Sequence, residues 1–307
     1  MELIKPDINI DFVGKRKLAI LLSIIVLLVG AVSLIIHGGP NYGIDFSGGT
    51  LVQVKVGQET TSAEMKEALK ELNLGGLVVQ TFGDETNEFL IRAMNTSSEL
   101  EGLNQDISKA LAVKYGADMV ELRRAEMVGP AVGADLREKG FLAIIYAMIG
   151  ILFYITWRFE FRFAVGAIIA LIHDVGITIG AFSLFGKEID LPIIAAFLAI
   201  IGYSLNDTII VYDRIRENMG KLSKESYGFI INRSINETLS RTVLTSGTTL
   251  LVVLALFIFG GGVIHNFAFA LLIGVLVGTY SSVFIASPLL IYWEDVKAAK
   301  KAAGRTS

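Results

Sequence analysis

The stretch IIGYSLNDTIIVYDRIRE, Ile200 to Glu217, decides what kind of molecule this is. It continues an apolar run long enough to lie in lipid, yet it sets Asn206 and Asp207 side by side within that run. Past another apolar patch come Asp213, Arg214, Arg216 and Glu217. A carboxylate at the centre of a bilayer costs about 3 kcal/mol on insertion scales and more in simulations, so an intramembrane Asp is a functional candidate by default.

The rest of the chain fits a lipid setting. Of its 307 residues, 53% are hydrophobic and 19% charged, with a mean hydropathy of +0.60. A soluble domain carries about 25% charged residues. The apolar residues come in blocks, the mark of a polytopic membrane protein. The net charge of −3 says little, because the placement of the charges matters more than their sum. There is no cysteine, which excludes disulfides, thiol chemistry and cysteine metal sites. The three histidines, His37, His173 and His265, have no metal-ligand spacing. A phosphate-binding loop, a nucleophile elbow and a dinucleotide fingerprint are all missing. The expectation is a protein that is not an enzyme, uses no cofactor or metal and binds no nucleic acid.

Six apolar segments can each cross a hydrocarbon core of about 30 Å, which takes roughly 20 residues. They lie near 18–36, 140–157, 163–185, 191–212, 243–260 and 266–286. Lys15, Arg16 and Lys17 precede the first, but its apolar run outlasts a signal-peptide core and no small-residue cleavage pattern follows, so it reads as a retained anchor. Basic residues orient the spans. They cluster in 1–17, in Arg158 and Arg162, in the 213–241 loop and in the 287–307 tail, whereas GKEID (186–190) has one lysine and GGGVIH (260–265) has no Lys or Arg. Both termini are therefore expected in the cytoplasm, with 37–139 outside and 140–286 holding the remaining spans.

The outside segment alternates in pattern. TLVQVKV (50–56) reads as a strand, SAEMKEALKELN (62–73) as a Ser-capped helix, and LVVQTF (77–82) as a strand. GDETN (83–87) suggests a hairpin turn before the strand EFLIRAM (88–94). A helix follows over 97–116, closed by Gly116, and then a last strand, DMVELRRAEMV (118–128). The order β-α-β-β-α-β is that of a ferredoxin-like α+β domain.

Several polar groups break the apolar rule. His173 and Asp174 share the third span, Tyr203, Ser204, Asn206 and Asp207 the fourth, and Arg241 opens the fifth. Tyr203 and Asp207 are i, i+4 neighbours on one helix face. In the fifth span Arg241, Thr245 and Thr248 form one stripe and Thr242, Ser246 and Thr249 the adjacent one. Asp207 and Arg241 fall at similar depth and are expected to pair. The plainer readings stand beside these. Ser and Thr often only bind helices together, His173 and Asp174 can satisfy each other, and Asp213, Arg214, Arg216 and Glu217 can form a hydrated helix end. For Asp207 the available chemistry is proton binding, since burial and a nearby guanidinium pull a carboxyl in opposite directions.

These residues carry a resemblance. GIDFSGGT (43–50), VGPAVGADL (128–136) and the HD pair resemble the SecD/SecF family, and GYSLNDTIIVYDRIRE with NRSINETLSRTVLTSGTT (232–249) is similar to its SecF branch. Tyr212 stands where the family often has Phe. The resemblance implies a six-helix membrane bundle of RND type, one half of a transporter whose other half is SecD. It implies a place in the bacterial inner membrane, where proton-motive force draws preproteins outward through SecYEG after SecA has pushed them, with YajC and YidC as further partners beside the lipid. It assigns Asp207 and Arg241 to the proton path. Asn206, Asp213, His173, Asp174, Tyr203 and Thr245 stand beside them as candidate supporting groups on their own chemistry, with a purely structural role equally open to His173, Asp174 and Asp213. Gly43, Asp45, Gly48 and Gly49 would shape the backbone. The six-span block is not duplicated within the chain, so a partner is expected, and Gly274, Gly278, Ser281 and Ser282 offer close helix contact unless they face lipid. Two rival readings are a subunit of an RND-type small-molecule exporter and a scaffold of the translocon that transduces nothing.

Overall fold

A computed structural model describes residues 8–72, 74–82, 87–93 and 100–303. Helix α1 (Arg16–Ile36) leads through the short α2 (Ile44–Ser47) into β1 (Gly49–Val56), α3 (Ser62–Ala68), β2 (Val78–Thr81), β3 (Glu88–Ala93), α4 (Leu100–Tyr115) and β4 (Val120–Val128). Long helices follow: α5 (Pro130–Arg158), α6 (Phe161–Leu184), α7 (Leu191–Lys221), α8 (Tyr227–Phe259) and α9 (Gly261–Ser281). A π-turn, Ser282–Ala286, joins α9 to α10 (Ser287–Ala303). Among the described residues, six helical stretches are long and apolar enough to cross a membrane, the sixth running from Ile264 to Lys297.

The helices outrun the apolar segments on which the sequence reading rested. α5 begins at Pro130, ten residues before 140, because proline at its first position needs no backbone donor. The expected 213–241 loop shrinks to residues 222–226. Ion pairs of helical spacing carry α7 onward, Glu217 pairing with Arg214 at 2.7 Å and Lys221 at 2.6 Å. α8 starts early because Ser226 accepts a hydrogen bond from Phe229 N. At 33 residues it is about 50 Å long, well beyond a 30 Å core. The expected 287–307 tail is likewise helical to Ala303. Amphipathic helix ends that stand in water carry too few apolar residues to register as spans.

The four strands form one antiparallel sheet in the order β2-β3-β1-β4. Period-two alternation puts Val52, Val54, Val56, Phe89 and Ile91 on one face, where they pack on Met65 and Leu69 and on Leu103, Ile107 and Leu111 of α4. The cap of α3 is Thr61, one residue before the expected Ser62, in a reciprocal capping box with Glu64. Gly116 turns the chain after α4 at φ +96°. Four of the five residues of the expected hairpin turn, 83–86, lie outside the described residues.

The two glycine-bearing signatures interlock where the sheet meets the bundle. Gly48 and Gly49 both have positive φ, 72° and 120°, which glycine alone adopts freely. A side chain on Gly48 would come within 2.8 Å of Pro130 Cα, and one on Gly133 within 3.0 Å of Gly48 N. Asp45 accepts from Leu191 N at 2.9 Å, at the start of α7. Residues 41–43 pair with Ile189, and Arg92 of β3 forms an ion pair with Glu188 in the same loop. The sheet is thus fastened to the α6–α7 loop and to the first turn of α5.

Candidate functional site

Two carboxylates are fully buried inside the helical bundle, Asp174 on α6 and Asp207 on α7. Small residues make the space for them. The glycine face of α9 packs on α7 so tightly that a side chain on Gly278 would meet Ser204 Cβ at 2.9 Å, and one on Gly274 would meet Ile200. These glycines therefore serve contact within this chain.

Asp174 is saturated. One oxygen lies 2.9 Å from His173 Nδ1. The other accepts from Ser204 Oγ at 2.5 Å and Ser281 Oγ at 2.8 Å, so the carboxylate binds α6, α7 and α9 together. The His173 ring stacks on Tyr280, 6.3 Å between centroids, and Tyr280 donates to the Ala19 carbonyl of α1 at 2.6 Å.

Asp207 is half satisfied. Oδ2 accepts from Ser246 of α8 at 3.1 Å, and Ser246 accepts from Thr279 of α9 at 2.7 Å. Among the described residues, its Oδ1 is buried without a hydrogen-bond partner, as are Thr242 Oγ1 and Tyr203 OH. A desolvated carboxylate oxygen with nothing donating to it costs free energy whenever it is charged. A proton placed on it removes that cost.

The expected pair of Asp207 and Arg241 is not found. Arg241 is exposed on the outer face of α8, and no direct ion pair joins the two among the described residues. Of the two polar stripes on α8, Thr242 and Ser246 turn inward (both buried), whereas Arg241 and Thr248 turn outward. The sequence pattern fits either orientation, because adjacent stripes differ by one residue, about 100° of rotation. Thr245 donates to the carbonyl of Arg241 at 3.0 Å and takes no part in the cluster. Asn206 is exposed. Asp213 stands apart at the end of α7, with Arg216 at 3.1 Å and Arg158 at 3.5 Å, in the hydrated helix end that was the plainer reading.

Thr279 and the bridging role of Ser281 were missed by sequence reasoning. Their only signal was the run of hydroxyl-bearing residues in the last span, Thr279, Tyr280, Ser281 and Ser282, beside a stretch where the helix widens into a π-turn. Such turns are frequent at functional sites. Here the carbonyl of Ala286 accepts from Tyr212 OH at 3.2 Å. Among the described residues, no three His, Asp or Glu side chains converge as a metal site needs.

Comparison with known proteins gives this arrangement a family. Residues 107–296 match the family described as protein export membrane protein SecD/SecF, C-terminal, and residues 33–60 match the SecD/SecF GG motif. A protein from Desulfurispirillum indicum named protein translocase subunit SecF is 50% identical over 291 residues, 92% of this chain and 91% of its own. The namesake from Vibrio alginolyticus is 45% identical, over 94% of this chain and 91% of its own. Among solved structures, a Thermus SecDF described as a translocon-associated membrane protein superposes with a TM-score of 0.87 at 36% identity. The match covers 95% of this chain and 40% of that one, so this chain spans about two fifths of the SecDF polypeptide. A super-membrane-facing form of SecDF superposes at 0.72, also at 36% identity, over 99% of this chain and 41% of that one. With two family signatures matched and relatives alike along nearly their whole length, the chain belongs to the SecD/SecF family of protein export membrane proteins, on its SecF side, and is a multi-pass membrane protein of protein transport.

Proposed function

We propose that this chain is the SecF-type half of a proton-driven export machine and that Asp207 is the group that takes up and releases the proton. Its other half would be SecD, joined to it in the bacterial inner membrane beside SecYEG, with SecA, YajC and YidC as further partners and emerging preproteins as cargo. The 40% coverage of the SecDF chain supports a missing second half. Both termini would be cytoplasmic. The β-α-β-β-α-β unit, whose strand order β2-β3-β1-β4 is that of a ferredoxin-like fold, would stand outside and handle the preprotein. The chain acts as a transport subunit driven by proton-motive force, with no enzyme activity or cofactor of its own.

The observation that carries this reading is the fully buried Oδ1 of Asp207, unpartnered among the described residues, within a helix long and apolar enough to span a membrane. Protonated, the side chain is neutral and its environment suffices. Deprotonated, it needs a cation or donors, and Arg241 is the nearest candidate along α8. One residue round the helix from Thr242, Arg241 takes the charge once α8 turns by roughly 100°. Proton loss then favours a different helix packing, and each charge crossing 100 mV supplies about 2.3 kcal/mol to drive it. That shifts a two-state equilibrium about fiftyfold.

The test is export in membrane vesicles carrying this chain with SecD and the translocon. Asp207→Asn keeps shape and hydrogen bonding and removes titration. Loss of proton-motive-force-dependent completion of translocation, with SecD still bound, is the expected result. Full stimulation in the variant returns the chain to the role of a scaffold.

A further inference from the structure

Asp207 is not alone. The His173–Asp174 pair lies outside the Asp207–Ser246–Thr279 chain, yet it shares two helices with it. Ser204, which donates to Asp174, precedes Asp207 by three residues on α7, so the two stand on one helix face. Ser281, the second donor, follows Thr279 by two residues on α9. Asp174 and Asp207 are therefore connected through two short hydroxyl-bearing segments, and a shift of either segment alters both carboxylates.

The pair also has an unfinished valence. His173 is 5% exposed, and its Nε2 is buried without a hydrogen-bond partner among the described residues. One ring nitrogen faces Asp174, and the other makes no hydrogen bond among the described residues. With a single proton shared between Nδ1 and the carboxylate, the pair carries one negative charge. A second proton, arriving at Nε2, turns the ring into an imidazolium and the pair into a neutral ion pair. No bond other than N–H forms or breaks, and the proton leaves by the same atom. Among the described residues, the groups facing the pair bring no competing charge. α9 presents Tyr280 and Ser281, α7 presents Ser204, and α1 places Ser23 and the Ala19 carbonyl around the Tyr280 hydroxyl and the apolar Leu27 against Gly176. α5, α10 and the π-turn bring no ion pair to it. Among the described residues, the other carboxylate buried on these inner faces is Asp207.

We infer that His173 and Asp174 form a second proton-holding station, coupled to Asp207 through Ser204 on α7 and through Ser281 and Thr279 on α9. Two like charges so linked in a low-dielectric interior oppose each other, so discharge of one site favours charge on the other. A saturated carboxylate that only bound helices together would need no histidine with a bare nitrogen.

This inference rests on the proton-driven reading of the site, and the experiment separates the two. The probe is the pH profile of proton-motive-force-dependent export by the assembled complex, compared for wild type, His173→Gln, Asp174→Asn and Asp174→Glu. His173→Gln and Asp174→Asn are expected to leave SecD bound, to lower maximal stimulation about tenfold and to move the midpoint of the profile by about one unit. Asp174→Glu, which keeps a titrating carboxylate, restores much of the loss. A wild-type profile in an assembled His173→Gln complex overturns the inference. So does failure of both His173→Gln and Asp174→Asn to assemble, because a pair that cannot be neutralised without losing the fold is a structural pin. If Asp207→Asn abolishes stimulation while His173→Gln changes nothing, only the second station falls. If Asp207→Asn is itself silent, the proton-driven reading goes first.

Discussion

The sheet domain and the helical bundle obey opposite rules in one chain. In the domain, the side chains of Val54, Val56, Met65, Phe89 and Ile107 are wholly buried and apolar, as expected where water is the solvent. In the bundle the arrangement is reversed. Leu18, Leu28, Ile35 and Phe153 lie exposed, while Asp174, Ser204, Asp207, Ser246 and Ser281 are inside. Lipid is as apolar as leucine, so burying leucine there gains little, and the interior is the only shelter for a polar group. The domain buries polar side chains where they are paired, as Gln53 donates to Glu88 at 2.7 Å, whereas the bundle also keeps inside a carboxylate oxygen, on Asp207, that is unpartnered among the described residues.

The sharpest way to break that contrast is to place the same group in both interiors. Val54→Asp puts an unpaired carboxylate between sheet and helices, where no donor awaits it. The expected cost is above about 4 kcal/mol, enough to unfold the domain. The bundle, meanwhile, already holds two buried carboxylates, Asp174 and Asp207, each with hydroxyl donors on neighbouring helices. Limited proteolysis within 49–128 should show the loss, and a variant that resists cleavage like the wild type would remove the contrast.

How much of this was legible in sequence follows the same division. The domain's strands and helices were readable because alternation and helical spacing both report one apolar face toward one core. The spans were readable from hydropathy, but their ends were not, because α7 and α8 continue into water as amphipathic helices. Asp207 stood out as an isolated charge. Its partners did not, because Ser and Thr suit either helix face and the sequence cannot rotate a helix. Arg241 was paired with it on depth alone, and the rotation of α8 placed Thr242 and Ser246 inward instead. The glycine signatures were read as backbone-shaping, and the contacts of Gly48 with Pro130 and of Gly133 with Phe46 and Gly48 give that a location.

A smaller effect tests how the bundle is held without a hydrophobic drive. α1 and α6 touch at Gly30 and Gly180, where a side chain on either would lie 2.8 Å from the other's Cα. Ser33 and Ser183 share a hydrogen bond at 2.8 Å nearby. Gly180→Val must push the helices apart, costing about 1–3 kcal/mol. Thermal unfolding in detergent should show it. A change on the far side of the same helix, such as Ile172→Val at an exposed position, should leave the midpoint unmoved, and equal losses would mean that close packing is not what joins α1 to α6.

Next in size is the clamp on the N-terminal segment. Asn232 and Asn236, one turn apart on α8, hold the main chain of Ile10, Phe12 and Val13 through hydrogen bonds of 2.8–3.1 Å. This gives part of the NRSINET stretch a physical task. Each Asn→Ala change should cost about 1–2 kcal/mol, several hydrogen bonds to one side chain being lost together. Hydrogen exchange at Ile10, Phe12 and Val13 should quicken in the single variants and more so in the double one. Unchanged exchange would show that the edge-on packing of Phe12 against Phe284 suffices.

The smallest effect is a dependence on pH at the seam between the two regions. Asp190 caps α7, accepting from Ile193 N at 3.1 Å, and sits near Asp45 and Arg92 at the mouth of the domain. Burial, with help from the Asp45 charge, holds its carboxyl above the usual carboxylate range, although the Ile193 hydrogen bond and Arg92 pull the other way. The folded state therefore binds this proton more tightly than the unfolded chain does. Its contribution to stability is full below the ordinary value of 3.8 and is lost as pH rises through the raised folded value. Asp190→Asn keeps a good cap and cannot titrate. The difference in unfolding midpoint between wild type and variant should thus move against the wild type as pH rises across that window, and stay flat above it. A difference moving in the wild type's favour would mean that Arg92 and the capping bond outweigh burial. The seam would then be held by charge, as a water-facing surface is, and not by a neutral group sheltered from water as in the bundle below it.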